Sequence, residues 1–159
     1  MIWSIFKDND GDIWVGTDKG IDQYIYGLGQ FKRYDLGSKP VNVIQDETDG
    51  SILIASENTG LHLINKKNGS KRSFKNNPDD GFSISSNSFN INQHNPIAID
   101  ELGNIWIATD NGLNYYRKDK DIFTRFNQRE GLSGNKINTL MAKGDFIYCL
   151  LYTSDAADE

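Results

Sequence analysis

An internal repeat is the feature of this sequence that most restricts its fold. The segments "DNDGDIWVGTDKGI", "TDGSILIASENTGL" and "LGNIWIATDNGL" share a turn glycine, a polar residue, isoleucine, a bulky residue, two small residues and a closing glycine. An aromatic residue follows the bulky one after 20 or 21 positions. The anchors of the repeat are Gly11, Trp14, Gly20, Gly50, Leu53, Gly60, Gly103, Trp106 and Gly112, and the later aromatic residues are Tyr34, Phe74 and Phe126. Three landmarks in register make chance a poor explanation.

The spacing of the repeat predicts its architecture. The turn glycines at positions 11, 50, 103 and 144 lie 39, 53 and 41 residues apart. Each unit contains four short apolar or alternating runs separated by turn residues, as in "IWSIF", "DIWVGT", "GIDQYIY" and "QFKRYDL", and no helical periodicity is sustained. Units of about 40 residues with four strands are typical of propeller blades. We therefore predict an all-β fold, a β-propeller fragment with about three four-stranded blades plus the start of a fourth.

The same landmarks give the expected boundaries. Blades are predicted at approximately 2–36, 41–76 and 97–128, with the start of a fourth at 137–148 and a long linker between blades at 77–96. The linker region is rich in Asn and Ser, and we expect it to bury too little apolar surface to be core. In the fourth unit, "GDFI" is expected to place Ile147 at the tryptophan position.

The acidic segment "KDNDGDIWVGT" also resembles a calcium loop. It cannot be aligned with an EF-hand, because placing Gly11 at the sixth position puts Phe6 at the first and Thr17 at the twelfth. A hairpin turn explains the residues better, with glycine at positive φ and aspartate bonding nearby amides. Trp14 and Trp106 are then expected to pack between blades rather than to stack on a ligand.

The repeats "DNDGDIWVGTDKGIDQY" and "DELGNIWIATDNGLNYY" resemble the two-component regulator propeller repeat. The connector "REGLSGNKINTL" and the serine-rich "NPDDGFSISSN" are similar to linkers of that family, and the resemblance extends from Ile2 to Tyr148. It implies seven-bladed propellers, often two in tandem, in the extracytoplasmic sensor region of bacterial hybrid histidine kinases. It further implies a periplasmic location, a homodimeric receptor, a glycan-derived ligand and a kinase elsewhere in the full chain.

Both ends of the sequence suggest a fragment. Met1 is followed at once by strand residues, without a signal peptide. The last eleven residues, "CLLYTSDAADE", fit nothing in the repeat and read as an in-frame translation of a sequencing-library adapter. We expect residues 149–159 not to be native. The remaining blades of the same chain would then be this fragment's first partners, because an open arc leaves apolar faces uncovered.

Composition excludes several functions. Without the last eleven residues the chain has no cysteine, and its net charge of −5 becomes −2, which argues against thiolate zinc sites, cysteine nucleophiles and nucleic-acid binding. His62 and His94 lie in different units without an acidic partner at a known motif spacing. We therefore predict no catalytic residue, no metal and no cofactor in this fragment. No apolar run is long enough to span a membrane, so any membrane contact would lie outside it.

The candidate ligand site is one face of the ring. The turns after Thr17 and Thr109, with the linkers before each first strand, would present Asp18, Lys19, His94, Asp110 and Asn111. The leading hypothesis is part of a ligand-sensing propeller of a hybrid two-component receptor, with an oligosaccharide as the ligand. A protein-interaction scaffold remains an alternative. A propeller lyase or glycosidase is a further one, but it would need carboxylates or a His and Tyr set converging on the channel.

Overall fold

The computed structural model describes residues 1–37, 41–46, 50–89 and 95–151, and for residues 42–46 it describes the backbone alone. The strands in these ranges are β1 (Ile2–Lys7), β2 (Ile13–Thr17), β3 (Gly20–Ile25), β4 (Gln30–Tyr34), β5 (Val41–Asp46), β6 (Ser51–Ser56), β7 (Gly60–Asn65), β8 (Lys71–Phe74), β9 (Ile97–Ile99), β10 (Ile105–Thr109), β11 (Gly112–Arg117), β12 (Ile122–Phe126), β13 (Ile137–Lys143) and β14 (Phe146–Leu151). A single turn of 3-10 helix, Gln128–Glu130, is the one helix in the described part of the chain. No helix there is both long and apolar enough to cross a membrane.

The strands form four antiparallel sheets in chain order. Three sheets have four strands each, β1 to β4, β5 to β8 and β9 to β12, and the fourth is the β13–β14 hairpin. These sheets are blades 1 to 4. The prediction of an all-β fold with three four-stranded blades and the start of a fourth is confirmed.

The chain is divided into two compact units. Unit 1 contains blades 1 and 2 with residues 87–89, and unit 2 contains linker residues 76–86 with blades 3 and 4. Within unit 1, one buried apolar cluster consists of Trp14, Ile21, Tyr34, Leu36, Val41, Ile52, Ile54 and Ile64. Within unit 2, another consists of Ala98, Ala108, Leu113, Ile137 and Leu140. Burial of this apolar surface is the main contribution that holds each pair of blades together.

The two faces of a blade have different roles. Side chains alternate between faces along a strand, and paired residues share a face. Trp14 therefore lies on one face of blade 1, here called the front face, and Ile13 and Val15 lie on the back face. The front face of blade 1 packs on the back face of blade 2, where Ile52 and Ile54 lie at the positions of Ile13 and Val15.

The closing glycine of each repeat lies where a side chain would collide. Gly20, Gly60 and Gly112 have φ values of 113°, 91° and 98°. A Cβ atom on them would lie 2.4, 2.3 and 2.4 Å from the carbonyl oxygen of the later aromatic residue in the same repeat. Glycine is required both for the positive φ and for this close approach of the fourth strand of the blade, β4, β8 or β12.

The fourth hairpin differs from its predicted register. The first hairpins of blades 1, 2 and 4 share a one-residue shift in strand register near the start of the first strand, which is β1, β5 or β13. Alignment on this feature places Tyr148 at the position of Trp14, and Ile147 at that of Ile13. The prediction that Ile147 takes the tryptophan position is therefore wrong. The β13–β14 turn is shorter than the β1–β2 turn, and this changes the spacing between the turn glycine and the bulky residue.

The linker before blade 3 contributes to the core, contrary to the prediction from its composition. Ile84 and Phe89 are fully buried. The carbonyl of Phe82 accepts a hydrogen bond from the amide of Phe123 at 2.8 Å, so the linker runs beside the outer strand of blade 3. Two well-placed apolar side chains are enough to anchor a segment whose average composition is polar.

Strand β14 continues into the segment predicted to be foreign. Cys149, Leu150 and Leu151 belong to this strand, and partial burial raises the pKa of the Cys149 thiol. Leu150 takes the position of Gly16, where an added Cβ would lie 2.6 Å from the carbonyl oxygen of Val41 in the next blade. A leucine at this position departs from the small residues of the repeat. The non-native origin of residues 149–159 stays a prediction.

Candidate functional site

The acidic residues of the opening segment form a turn around one buried carboxylate. Oδ1 of Asp8 accepts hydrogen bonds from the amides of Asp10 and Asp12 at 3.0 and 2.9 Å. Its Oδ2 accepts the indole N–H of Trp14 at 2.9 Å. Donors from the chain therefore engage both oxygens, and the acidic cluster serves the hairpin turn.

Blade 3 repeats this arrangement around Asp100. Its Oδ1 accepts the amides of Leu102 and Asn104 at 3.0 and 2.8 Å, and its Oδ2 accepts the indole N–H of Trp106 at 3.2 Å. Burial opposes ionisation of Asp100, but hydrogen bonds led by those from Asn104 outweigh it and lower its pKa. Neither Asp100 nor Asp8, its counterpart in blade 1, was predicted from the sequence. Each lies six residues before the tryptophan of its repeat, and this spacing could have identified both. The copy with Leu53 needs no such aspartate, because the leucine side chain has no hydrogen-bond donor.

A lysine from blade 2 joins the turn of blade 1 within unit 1. Nζ of Lys66 lies 2.6 Å from Oδ2 of Asp10 and 3.5 Å from Oδ2 of Asp8. The hydrogen bond and charge of Lys66 lower the pKa of Asp10. This contact connects two blades, so the cluster is structural rather than a free cation site.

The predicted ligand residues of blade 1 lie in the β2–β3 turn. Asp18 pairs with the terminal amine of Met1 at 3.0 Å, and this hydrogen bond lowers the pKa of its carboxyl group. Lys19 is exposed, and its amide donates to Oγ1 of Thr17 at 3.1 Å. Both side chains are accessible at the surface of unit 1.

The predicted ligand residues of blade 3 lie in the equivalent β10–β11 turn of unit 2. Asp110 is partly buried. The side-chain amide of Asn111 donates to the carbonyl of Ser85 at 3.3 Å, so this residue also holds the linker. His94 lies outside the described residues. The structure brings Asp18 together with Lys19, and Asp110 with Asn111, and a single site made from both turns stays a prediction.

A buried polar cluster below the β10–β11 turn was not predicted. The amide of Ser85 donates to Oδ1 of Asn114 at 2.8 Å, and Oγ of Ser85 lies 2.9 Å from Nδ2 of Asn114 and 2.8 Å from Oγ1 of Thr109. The only indication of it in the sequence was that Asn114 is polar at a strand position that is buried. The hydroxyl and amide groups satisfy one another, so the cluster fixes the linker rather than activating a nucleophile.

His62 has the properties of a structural residue. Its ring is 3% exposed, and its nitrogens lie 2.8 Å from Oγ of Ser73 and 2.9 Å from Oγ1 of Thr59. Burial lowers its pKa to about 4, with further contributions from the charges of Lys75 and Lys71. The ring is therefore neutral at pH 7 and hydrogen-bonded to hydroxyls, without the carboxylate that orients a catalytic histidine.

Two clefts of unit 2 are lined by described residues. One, of about 490 Å³, lies on the front face of blade 4 and is lined by Asn95, Thr139, Leu140, Met141, Tyr148, Cys149 and Leu150. The other, of about 320 Å³, is lined by Asp100, Glu101, Leu102, Trp106, Gly144, Asp145 and Ile147. Among the described residues, no group of three or more His, Cys, Asp or Glu side chains could hold a metal ion.

The three four-stranded sheets, with their repeated turns and closing glycines, define a fragment of a β-propeller. The family model described as "Two component regulator propeller" matches residues 1–19. This match, together with the structural likenesses below, confirms the resemblance seen in the repeats. No curated protein matches the sequence significantly.

Several solved structures have a similar fold. One is the extracellular domain of BT3049 from B. thetaiotaomicron, assigned as a hybrid two component system, with a TM-score of 0.73 and 22% identity over 87% of this chain and 20% of that chain. Another is that of BT4673 from the same organism, also assigned as a hybrid two component system, with a TM-score of 0.69 and 24% identity over 94% of this chain and 20% of that chain. A third is virginiamycin B lyase from Staphylococcus aureus, with a TM-score of 0.65 and 16% identity over 94% of this chain and 48% of that chain.

These similarities establish the fold alone. The chain spans about a fifth of the length of the two extracellular domains that it matches. Fold does not by itself fix function, and the same propeller occurs in a lyase.

Proposed function

We propose that this chain is part of an extracytoplasmic, ligand-sensing β-propeller of a hybrid two-component receptor. The observation that carries the proposal is the regulator-propeller segment at residues 1–19, whose aspartate and tryptophan pair recurs in blade 3. The extracellular domains of similar fold support the same location and role.

In this proposal the fragment recognises a ligand, and phosphorylation is carried out by a kinase domain in another part of the receptor. The receptor is a periplasmic sensor attached to an inner-membrane histidine kinase, and it acts as a homodimer. A ligand changes kinase output only if it binds one arrangement of the paired sensor domains more tightly than the other.

The proposed ligand is an oligosaccharide derived from glycan breakdown. Sugar hydroxyl groups need both hydrogen-bond donors and acceptors. The turns β2–β3 and β10–β11 supply carboxylate, ammonium and amide groups from Asp18, Lys19, Asp110 and Asn111. Each turn is anchored to its blade by a threonine hydroxyl, which fixes the backbone that presents these groups.

The test uses the complete extracytoplasmic domain and a panel of glycan-derived oligosaccharides. We expect one class to raise the melting temperature, because a ligand at 100 times its Kd adds about 2.7 kcal/mol to the free energy of unfolding. The double variant Asp110→Ala with Asn111→Ala should weaken that binding at least tenfold. The matched control is Asp119→Ala in the turn at the opposite end of the same blade.

The outcomes separate the parts of the proposal. Binding that the double variant does not weaken would contradict the location of the site but not the sensor role. A domain that binds no oligosaccharide of the panel at millimolar concentration would contradict the glycan ligand.

A further inference from the structure

The back face of blade 1 has nearly the same side chains as the back face of blade 3. The paired positions, with the residue of blade 1 first, are Ile5 and Ile97, Ile13 and Ile105, Val15 and Ile107, Asp22 and Asn114, Tyr24 and Tyr116, Phe31 and Phe123, and Arg33 and Arg125. The aromatic pairs even have the same separation, with ring centroids 5.0 Å apart in blade 1 and 4.9 Å apart in blade 3.

The two faces differ in what covers them. In blade 3, Ile97 and Phe123 are 0% and 3% exposed. In blade 1, the equivalent Ile5 and Phe31 are each 67% exposed. An exposed apolar face that repeats a covered one indicates a missing partner.

In blade 3, part of that cover is the linker, which Arg125 binds through its backbone. Nε of Arg125 donates to the carbonyl of Ser83 at 2.7 Å, and Nη2 donates to Oγ of Ser83 at 2.6 Å and to the carbonyl of Asp80 at 2.9 Å. One guanidinium thus holds both ends of the turn from Asp80 to Ser83, in which the Ser83 amide donates to the Asp80 carbonyl at 3.2 Å, and this suits its rigid set of donors.

The second polar contact to the linker comes from Asn114. It accepts the amide of Ser85 and donates to Oγ of the same serine. The amide of Phe123 adds a backbone hydrogen bond to Phe82. In blade 3, an amide next to an arginine, with an aromatic pair on the same face, therefore binds a serine-containing segment.

Blade 1 has the equivalent polar pair, and the hydrogen bonds of the described residues link its two members to each other rather than to a linker segment. Arg33 and Asp22 bond to each other, with Nε to Oδ1 at 2.7 Å and Nη2 to Oδ2 at 2.9 Å. These are the same two guanidinium nitrogens that bind the linker in blade 3. The side chain of Arg33 is 63% exposed, so another chain can reach it.

Blade 2 provides the contrast. It has His62 and Ser73 at these two positions, bonded to each other. Blade 2 follows blade 1 after the short connection from Tyr34 to Val41, whereas blade 3 follows a long linker. Of blades 2 and 3, the blade that follows the long linker has the arginine, and the blade that follows the short connection has Ser73 in its place.

We propose that the back face of blade 1, through Asp22, Arg33 and the Tyr24–Phe31 pair, binds a serine-containing linker segment that precedes blade 1 in the longer receptor chain. On binding, the ion pair opens, Arg33 takes backbone carbonyls, and Asp22 takes an amide and a serine hydroxyl. The inference rests on the proposal that the chain is part of a longer propeller, and it deepens that proposal by naming the chemistry of the adjoining segment.

The test adds the missing segment to the full 159-residue chain. A copy of residues 76–93 is fused ahead of Ile2, and the melting temperature is measured with and without Arg33→Gln. We expect the fusion to raise the melting temperature by several degrees and Arg33→Gln to remove most of that gain. The matched control is Lys32→Gln, on the same strand but the opposite face, which should leave the gain unchanged.

A second measurement does not need the fusion and therefore tests the proposal even if the fusion fails to fold. A fluorescent peptide with the sequence of residues 76–89 is titrated into the unmodified chain, and anisotropy reports binding. We expect saturable binding that Arg33→Gln weakens at least tenfold. A gain in melting temperature that is the same in the Arg33→Gln fusion, or a peptide that does not bind or binds the variant equally, would overturn the inference. Neither result depends on an oligosaccharide, so this failure and that of ligand sensing are distinguishable.

Discussion

Replacing Asp8 by alanine should destabilise unit 1 more than any other single carboxylate deletion in blade 1. Asp8 is buried and accepts three hydrogen bonds, from two turn amides and from the indole of Trp14. Removing it leaves a fully buried indole N–H without an acceptor, which costs about 1–3 kcal/mol. It also leaves Lys66, whose side chain is 10% exposed, with one carboxylate instead of two. We expect a total loss of about 3–5 kcal/mol, the range for removing one partner of a buried charge pair.

A double-mutant cycle isolates the bond between the carboxylate and the indole. Trp14→Phe removes the donor and keeps most of the ring, so its cost should overlap with that of Asp8→Ala. The coupling energy should be about 1–2 kcal/mol. The assay is urea unfolding, with amide hydrogen exchange in strands β2 and β3 to report on unit 1 specifically. Glu101→Ala, in the exposed turn of blade 3, is the surface control and should change stability by less than about 0.5 kcal/mol. A loss below 1 kcal/mol for Asp8→Ala, or strictly additive losses for the two single variants, would show that the Asp8 carboxylate does not stabilise blade 1 through the indole of Trp14.

Three further predictions follow from the repeat and its buried polar groups. Gly60→Ala should cost about 3 kcal/mol or more in urea unfolding, because positive φ alone costs about 1–2 kcal/mol and the new Cβ would also meet a carbonyl oxygen at 2.3 Å. Gly144→Ala, with φ of 56° and open space, should show only the smaller cost, and equal losses would contradict the packing argument. The lowered pKa of His62 means that the folded state excludes a proton that the unfolded state binds, so stability is complete above pH 6.5 and falls by up to about 3 kcal/mol as the pH drops towards 4. Unfolding at pH 7.5, 5.5 and 4.5 should show this slope in the wild type and not in His62→Gln, and a flat wild-type profile would disprove it. Asn114→Ala should cost about 1–3 kcal/mol and increase hydrogen exchange at Ser85, because it removes both bonds to that residue, whereas unchanged exchange would argue against the linker contact.

The strands and turns were predictable because the repeat fixes them by local chemistry. Glycine at the closing position is needed for one backbone geometry, and its recurrence identifies the hairpin in every copy. The position of the bulky residue in mid-strand was also predictable, because Trp14 stacks on Tyr34 and a bulky and an aromatic residue recur in the repeat at a spacing of 20 or 21 positions.

The remaining features depend on contacts that are distant in sequence. The bond from Asp100 to Trp106 closes a turn across six residues, and the hydrogen bonds from Arg125 reach 42 and 45 residues back to the linker. Composition predicted a linker without core residues, but Ile84 is fully buried in a segment that Asn114 and Arg125 of blade 3 bind by hydrogen bonds. The fourth hairpin was misaligned because its shorter turn changed the spacing that the other copies share.

We propose that this chain is part of a sensor propeller in a two-component receptor, and long-read sequencing across the locus in the same source DNA tests this proposal because it gives the complete reading frame. We expect a frame that continues beyond Tyr148 through further propeller repeats into a transmembrane helix and histidine-kinase motifs. A frame that ends at Glu159 without these segments would contradict the proposal.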